Sequence, residues 1–183
     1  MAEESYSALQ DRLFAAARGG DPESVRVLVT QEPRLLTAAA DFGESALHVA
    51  ARHGQLAVME VLVAAGQPVT LGRRRGRTQQ RDGQTPLASA ADAGQLDAMS
   101  WLLDRGAPVD DPHLVGAAAA SGHLEAIHLL VRAGADPHPR WADGRANART
   151  AALAGGHHEA DRLLAELGVR LPLPPPPVVS DLP

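Results

Sequence analysis

A cluster of arginines is the feature of this sequence most suited to binding chemistry. Segment 71–81 has no acidic residue and carries Arg73, Arg74, Arg75, Arg77 and Arg81. Because the planar guanidinium group donates hydrogen bonds as a rigid fork, it fits carboxylates and phosphates. We interpret the segment as a partner-binding element. The alternative is a solvated loop that only maintains solubility, and its glycines imply an ordering cost on binding.

An acidic chain surrounds this cluster. The formal net charge is −5, the arginine segment contributes +5, and the remainder therefore sums to −10. This balance excludes a generally basic nucleic-acid binder, although the segment itself could neutralise a few phosphates. All seventeen basic residues are arginine. With abundant Ala, Gly and Pro, this usage indicates a GC-rich genome and a bacterial source.

The histidines do not form a predicted metal site. His157 and His158 are adjacent, so on a helix their side chains point about 100° apart. His123 and His128 are five residues apart, a spacing that also separates them on a helix. The sequence contains no G-x-S-x-G, H-E-x-x-H or phosphate-loop motif. We therefore expect no metal, no cofactor and no catalysis.

Composition predicts a helical protein of a reducing compartment. Apolar residues make up 45% of the chain and aromatic residues only 3%, so Ala, Leu and Val must fill the core. Alanine-rich interiors favour closely packed short helices, and the β-branched runs of a sheet protein are scarce. The chain has no cysteine. Since neither a signal peptide nor an apolar run of ~18 residues is evident, we expect a cytoplasmic protein without membrane contact.

Internal repeats organise the chain. Five short Ala-rich stretches, such as 47–53 and 87–93, each end at a glycine and are each followed by a second apolar stretch. The punctuating glycines are Gly20, Gly54, Gly94, Gly122 and Gly156, at intervals of 34, 40, 28 and 34. Such intervals are close to the period of one class of two-helix repeat. Each stretch predicts a helix, and each glycine permits the left-handed conformation that ends it.

These repeats resemble the ankyrin-repeat family, whose pattern is G-x-T-P-L-H-x-A-A-x-x-G-H-L-x-x-V-x-x-L-L-x-x-G-A-D. Residues 83–91 (GQTPLASAA) and 43–51 (GESALHVAA) match its first half, and 122–136 matches its second half. The resemblance covers about residues 9–170. It implies an all-α solenoid of about five helix-turn-helix repeats with short hairpin loops and one extended Arg-rich loop.

The repeats depart from the family pattern at four places. The family histidine survives as His48, whereas repeat three has Ala88. The hairpin at 109–114 is short, and the helix entry at 145–150 is poorly matched. An insertion of about seven residues relative to the repeat period separates repeats two and three. Terminal repeats are expected to be atypical, because each end of the stack meets water.

The resemblance implies a binding surface rather than an active site. Ankyrin proteins bind partners with hairpin tips and with the exposed residues of their first helices, which form a concave face. Besides the five arginines, the candidate partner-binding residues are Asp41, Phe42, Glu44, Arg52, His53, Asp82, Gln84, Asp92 and Trp141. Trp141 is either an anchor, since Trp is enriched at hot spots, or a cover over the last repeat.

Stacked repeats are expected to bury one continuous aliphatic strip. Ser45 and Thr85 are the predicted N-caps, and Pro86 suits a first helical turn. Trp101 takes the place of a core leucine in a second helix and is interpreted as a packing residue. The strip comprises Leu56, Val61, Leu62, Leu96, Leu102, Leu103, Leu124, Leu129 and Leu130.

The predicted organisation has three parts. They are an N-terminal arm (1–8), an ankyrin-repeat domain (9–170; repeats at about 9–40, 41–80, 81–110, 111–140 and 141–170) and a Pro-rich flexible tail (171–183). The tail is either a polyproline ligand or a disordered end. We predict a monomeric, non-catalytic protein–protein interaction module, an adaptor, scaffold or inhibitor whose partner has an acidic patch. The alternative is nucleic-acid or phosphate-ligand binding through the 73–81 loop.

Overall fold

A computed structural model describes residues 5–40, 43–70, 84–138 and 146–171. This part of the chain contains ten α-helices and one short 3₁₀ helix (Pro33–Thr37). The α-helices are α1 (Tyr6–Gly19), α2 (Pro22–Gln31), α3 (Ala46–Arg52), α4 (Leu56–Ala64), α5 (Pro86–Asp92), α6 (Leu96–Asp104), α7 (Leu114–Ala120), α8 (Leu124–Arg132), α9 (Ala148–Ala154) and α10 (His158–Glu166). They form five helix–turn–helix pairs, as the repeats predict.

The pairs stack in chain order as two layers. Each first helix contacts the first helix of the next pair, each second helix contacts the next second helix, and the two helices of a pair contact each other. The first helices approach closely because their interior side chains are small. The alanines of this layer that are fully buried are Ala17, Ala50, Ala51, Ala88, Ala90, Ala91, Ala118, Ala119, Ala148 and Ala152. One core therefore runs through all five repeats, and the all-α solenoid is confirmed.

Polar side chains fix where several helices begin. Thr85 Oγ1 accepts a hydrogen bond from the Ala88 N–H at 3.2 Å, and Ser45 is the N-cap residue of α3. Pro86 lies in the first turn of α5, where no backbone donor is required. The predicted caps are therefore confirmed.

A glycine with positive φ follows the first helix of each repeat. Gly94 has a φ of 66°, a conformation in which a side chain is strained. A Cβ at this position would lie 2.6 Å from Nδ1 of His123 in the next repeat. The side chains that cover a preceding glycine are Gln55 over Gly20, Gln95 over Gly54, His123 over Gly94 and His157 over Gly122. Each of these turns is thus fitted to the repeat that follows it.

His48 joins repeats two and three. Its fully buried ring accepts a hydrogen bond at Nδ1 from the Ser45 N–H, at 3.2 Å, while Nε2 donates to the Gln84 carbonyl at 3.0 Å. The Nδ1 acceptor and the Nε2 donor define a neutral imidazole with its proton on Nε2. The histidine therefore bridges the junction that carries the insertion.

One packing prediction is wrong, and another holds only in part. Leu96 is 38% exposed, because it is the first residue of α6 and lies at the rim of the second-helix layer. Trp101 packs against the core as predicted, but it is only partly buried, and its neighbour Leu102 is the fully buried residue. The Arg105 guanidinium lies 3.7 Å from the Trp101 ring centre, a cation–π contact that covers the indole face. The rest of the strip packs as predicted, with Leu62, Leu102 and Leu130 fully buried and Leu56, Val61, Leu103, Leu124 and Leu129 partly buried.

The last repeat contains a partly buried ion pair. Arg149 Nε donates to Asp161 Oδ1 at 2.6 Å, and Arg149 Nη2 donates to Asp161 Oδ2 at 3.2 Å. Hydrogen bonding from Arg149 lowers the pKa of the Asp161 carboxyl, and the same bonds raise the pKa of Arg149. Arg149 Nη1 also donates to the Val169 carbonyl at 3.2 Å. The pair therefore ties α9 to α10 and to the segment after α10.

Candidate functional site

Glu44, Arg52 and Asp92 meet at the junction of repeats two and three. Arg52, the last residue of α3, donates from Nη2 to Glu44 Oε1 at 2.6 Å and from Nη1 to Asp92 Oδ2 at 3.1 Å. Asp92 is the last residue of α5, so the guanidinium group connects two neighbouring first helices. The structure thus brings three of the predicted binding residues into one ion-paired group.

Ser121 extends this group into repeat four. Its Oγ donates to Asp92 Oδ1 at 2.9 Å. Sequence reasoning missed Ser121. This residue immediately precedes Gly122, just as the predicted residue His53 immediately precedes Gly54 in repeat two. We name Glu44, Arg52, Asp92 and Ser121 the junction row, because together they cross two repeat boundaries.

The junction row is paired internally but still meets solvent. The side chain of Arg52 is 31% exposed, that of Glu44 13% and that of Asp92 33%. One guanidinium lies between two carboxylates, so the row has a formal charge of −1. Its hydrogen bonds fix the side-chain orientations before any partner arrives, which lowers the ordering cost of an interaction.

Two other predicted residues lie at the same junction. His53 is exposed at the C-cap of α3, and Gln84 is partly buried, with its carbonyl accepting the His48 hydrogen bond. The remaining predicted residues lie outside the described part of the chain: Asp41, Phe42, Arg73, Arg74, Arg75, Arg77, Arg81, Asp82 and Trp141. Segment 71–83 is bounded by Thr70 and Gln84, so its C-terminal end joins the stack where His48 holds Gln84.

A separate groove lies between α2 and α4, in the layer of second helices. It has a volume of about 420 Å³, with Val29 and Val61 in its lining and Arg26 and Glu60 from opposite sides. None of the predicted binding residues lines it. Within the described residues, no group of three His, Asp or Glu side chains is placed to hold a metal ion, and no helix is long and apolar enough to cross a bilayer.

Five stacked helix pairs, with polar contacts between the first helices of repeats two to four, define a tandem helical-repeat protein, a class that presents an extended surface along its stack. A family model described as ankyrin repeats, in three copies, matches residues 13–113. This match covers more than half of the chain, which therefore belongs to the ankyrin-repeat family. Ankyrin repeats generally mediate protein–protein interaction.

Curated relatives share the repeats within much longer chains. The chain is 27% identical to ankyrin repeat and KH domain-containing protein mask-1 of Caenorhabditis elegans, over 84% of this chain and 6% of that protein. It is 30% identical to the transient receptor potential cation channel subfamily A member 1 homolog of C. elegans, over 84% of this chain and 12% of the channel. It is 31% identical to E3 ubiquitin-protein ligase XBAT32 of Arabidopsis thaliana, over 68% of this chain and 25% of the ligase. The chain thus spans a quarter or less of these three relatives.

Proposed function

We propose that this chain is a non-catalytic protein-binding module, an adaptor, scaffold or inhibitor, that holds its partner against the surface of its first helices. The junction row is the observation that carries the proposal, because it orients polar side chains from three repeats on that one surface. The arginine segment between repeats two and three is proposed as the second contact. A partner with an acidic patch would suit its five guanidinium groups.

Stability alone explains the junction row poorly. Ion pairs that keep contact with solvent typically contribute about 0–1 kcal/mol to folding, and the side chains of Arg52 and Asp92 are about one third exposed. Asp92 also lies in the last turn of α5, where the partial negative charge of the helix end disfavours a carboxylate. A residue that is unfavourable for its own helix, yet fixed by Arg52 and Ser121, is better suited to recognition of a polar group on a partner.

The charge distribution supports two oppositely charged contacts with a partner, one on the repeats and one on the arginine segment. The described residues contain ten arginines and sixteen acidic residues, a net of −6. In the sequence the arginine segment precedes Gln84, which belongs to the same repeat as Asp92. Charged contacts of opposite sign would orient the partner and raise its association rate more than its affinity.

Affinity purification with cross-linking from the native cell tests the proposal. The two test variants are Arg73→Glu/Arg74→Glu/Arg75→Glu, and Arg52→Gln/Asp92→Asn. The control is Arg132→Glu, an exposed position at the end of α8 in the other layer. We expect both test variants to bind the recovered partner more weakly, and the triple variant to show a flatter salt dependence. If both variants bind like Arg132→Glu, the proposed surface is wrong.

Nucleic-acid or phosphate-ligand binding through residues 73–81 is the alternative, favoured only by the five arginines in a segment, 71–81, that contains no acidic residue. A gel-shift titration at low salt separates the two functions. A shift at micromolar protein that disappears in the triple variant would support this alternative.

The proposal extends to the location, the oligomeric state and the source of the chain. We place the module in the cytoplasm, because a chain without cysteine suits a reducing compartment. We expect a monomer and the domain boundaries given above. A bacterial source stays a prediction from composition, since the named relatives are from a nematode and a plant.

A further inference from the structure

Helix α4, on one side of the groove between α2 and α4, differs from the second helices of the other repeats. It has eight apolar residues and one charged residue, Glu60. Second helices can be aligned on the turn glycine that precedes each of them. Three residues after that glycine α4 has the exposed Ala57, whereas the other repeats have an acidic residue: Glu23, Asp97, Glu125 and Glu159. Ten residues after it α4 has the exposed Ala64, whereas the other repeats have a polar residue: Thr30, Asp104, Arg132 and Glu166.

Short side chains leave this groove open. Ala57, Ala64 and Ala65 line it together with Val29 and Val61. Seven residues after the turn glycine, α4 has Val61 where α6 has the much larger Trp101. The groove between α2 and α4 keeps a volume of about 420 Å³, which lies within the range of about 300–1,000 Å³ that is usual for ligand-binding clefts. An exposed apolar surface of this kind marks an interaction site.

Opposite charges stand on the two sides of the groove. Arg26 of α2 and Glu60 of α4 both line it, and both are exposed. The Arg26 Nε lies 3.7 Å from Glu23 Oε2, and the two side chains are 62% and 76% exposed. Because an ion pair in such contact with water is weak, Arg26 can turn to a partner at little cost. A complementary partner therefore has an acidic side and a basic side.

The backbone chemistry of the groove favours a helix as its occupant. The main-chain hydrogen bonds of α2 and α4 run within each helix, so these two helices offer no row of donors and acceptors to an extended chain. A helix satisfies its own backbone and meets a groove with side chains alone. Helix α2 has 10 residues and is therefore about 15 Å long, enough to contact about three turns of a second helix.

We propose that the groove between α2 and α4 binds an amphipathic helix of a partner protein. Aliphatic residues at positions i, i+4 and i+7 of that helix face Val29, Val61 and Ala64, while its acidic flank lies beside Arg26 and its basic flank beside Glu60. This site belongs to the layer of second helices, away from the junction row. It therefore goes beyond the proposed function and does not depend on it. Two surfaces in different layers would let one chain hold two partners at once, as an adaptor does.

A designed peptide tests the proposal. It has about 14 residues, with leucines at i, i+4 and i+7, glutamates along one flank and lysines along the other. A covalent side-chain bridge on its outer face keeps it helical, because short isolated helices are marginal in water. The peptide is titrated into the isotope-labelled full chain, and backbone amide shifts are recorded by NMR. We expect saturable shifts in α2 and α4, and none in α8.

Substitutions that fill the groove should block the peptide. Ala57→Glu/Ala64→Glu introduces charges of the kind that other repeats carry at these positions, and we expect it to weaken binding at least about tenfold. The control, Ala133→Glu/Ala165→Glu, adds the same charge at exposed positions near the end of α8 and in α10 and should bind as the unaltered chain does. Urea midpoints of both variants verify that they are folded.

Charge reversal tests the two flanks. Arg26→Glu makes both sides of the groove acidic, so we expect binding to weaken about fivefold. Arg26→Glu/Glu60→Arg exchanges the two sides, and the peptide can then bind in the opposite direction. We expect this double variant to restore the affinity.

Four results would overturn the proposal. The first is the absence of shifts at millimolar peptide, and the second is equal affinity of Ala57→Glu/Ala64→Glu and its control. The third is sedimentation that shows dimers of the unaltered chain and monomers of Ala57→Glu/Ala64→Glu, because the groove would then belong to a second copy. The fourth is a chain without residues 172–183 that shows the α2 and α4 shifts before any peptide is added and binds it more tightly, because the chain's own tail would then be the occupant.

Discussion

Replacement of His48 by alanine tests the idea that one buried imidazole holds repeats two and three together. The side chain makes a hydrogen bond to the Ser45 N–H and another to the Gln84 carbonyl. Each contributes about 1 kcal/mol net, and loss of the buried ring adds about 1–2 kcal/mol for missing contacts. We therefore expect His48→Ala to lower the free energy of unfolding by about 3 kcal/mol. An alanine fits this position sterically, because Ala88 occupies it in repeat three.

Urea unfolding followed by circular dichroism measures this loss. With a slope of about 2 kcal/mol per M, the midpoint should fall by about 1.5 M. The matched control is His53→Ala, which removes an exposed histidine from the end of the same helix and should change stability by less than about 0.5 kcal/mol. Equal midpoints for the two variants would refute the assigned role of His48.

Three further predictions concern stability. Gly94→Ala should lower the free energy of unfolding by at least about 1 kcal/mol more than Gly106→Ala, as measured by urea unfolding. Both glycines have positive φ, but only at Gly94 would the new Cβ meet a side chain, that of His123. Similar losses of stability in the two variants would contradict this prediction. Because folding lowers the pKa of Asp161, this residue stabilises the folded chain above the pKa of an unfolded aspartate, about 4. The stabilisation is lost as the pH falls through the lower pKa of the folded state. Asp161→Asn should therefore reduce stability at pH 7 and make the loss of stability below about pH 4 less steep. Asp97→Asn, at an exposed position, is the control. The same loss of stability at acid pH in both variants would argue against the ion pair. Arg105→Ala should lower the free energy of unfolding by about 0.5–1 kcal/mol. In a Trp141→Phe background it should also change the fluorescence of Trp101. Unchanged emission would count against the cation–π contact.

The repeat architecture could be predicted from residues close in sequence, and the junction row could not. Glycine spacing and the caps at Ser45 and Thr85 act within one or two turns of a helix, so local pattern is sufficient to locate them. Arg52 and Asp92, by contrast, are 40 residues apart, and their contact depends on how two helices are stacked.

The burial of individual side chains could not be predicted from the apolar pattern of the sequence either. The apolar period correctly assigned Leu96 and Trp101 to a second helix, but it could not distinguish the centre of a layer from its rim. The period gives the direction of a side chain, whereas the neighbouring repeat decides how much of it is covered.

The covered glycines have a consequence for how such a chain changes length in evolution. Gln55, Gln95, His123 and His157 each cover the turn glycine of the preceding repeat. When recombination removes or adds a repeat, a turn glycine meets the covering side chain of a different repeat. The new junction then packs correctly only if glutamine and histidine can replace each other at this position. Loss of repeat three, for instance, would place His123 over Gly54 in place of Gln95. Both side chains already fill this position in the chain, so whole units could be gained or lost without redesign of the turn.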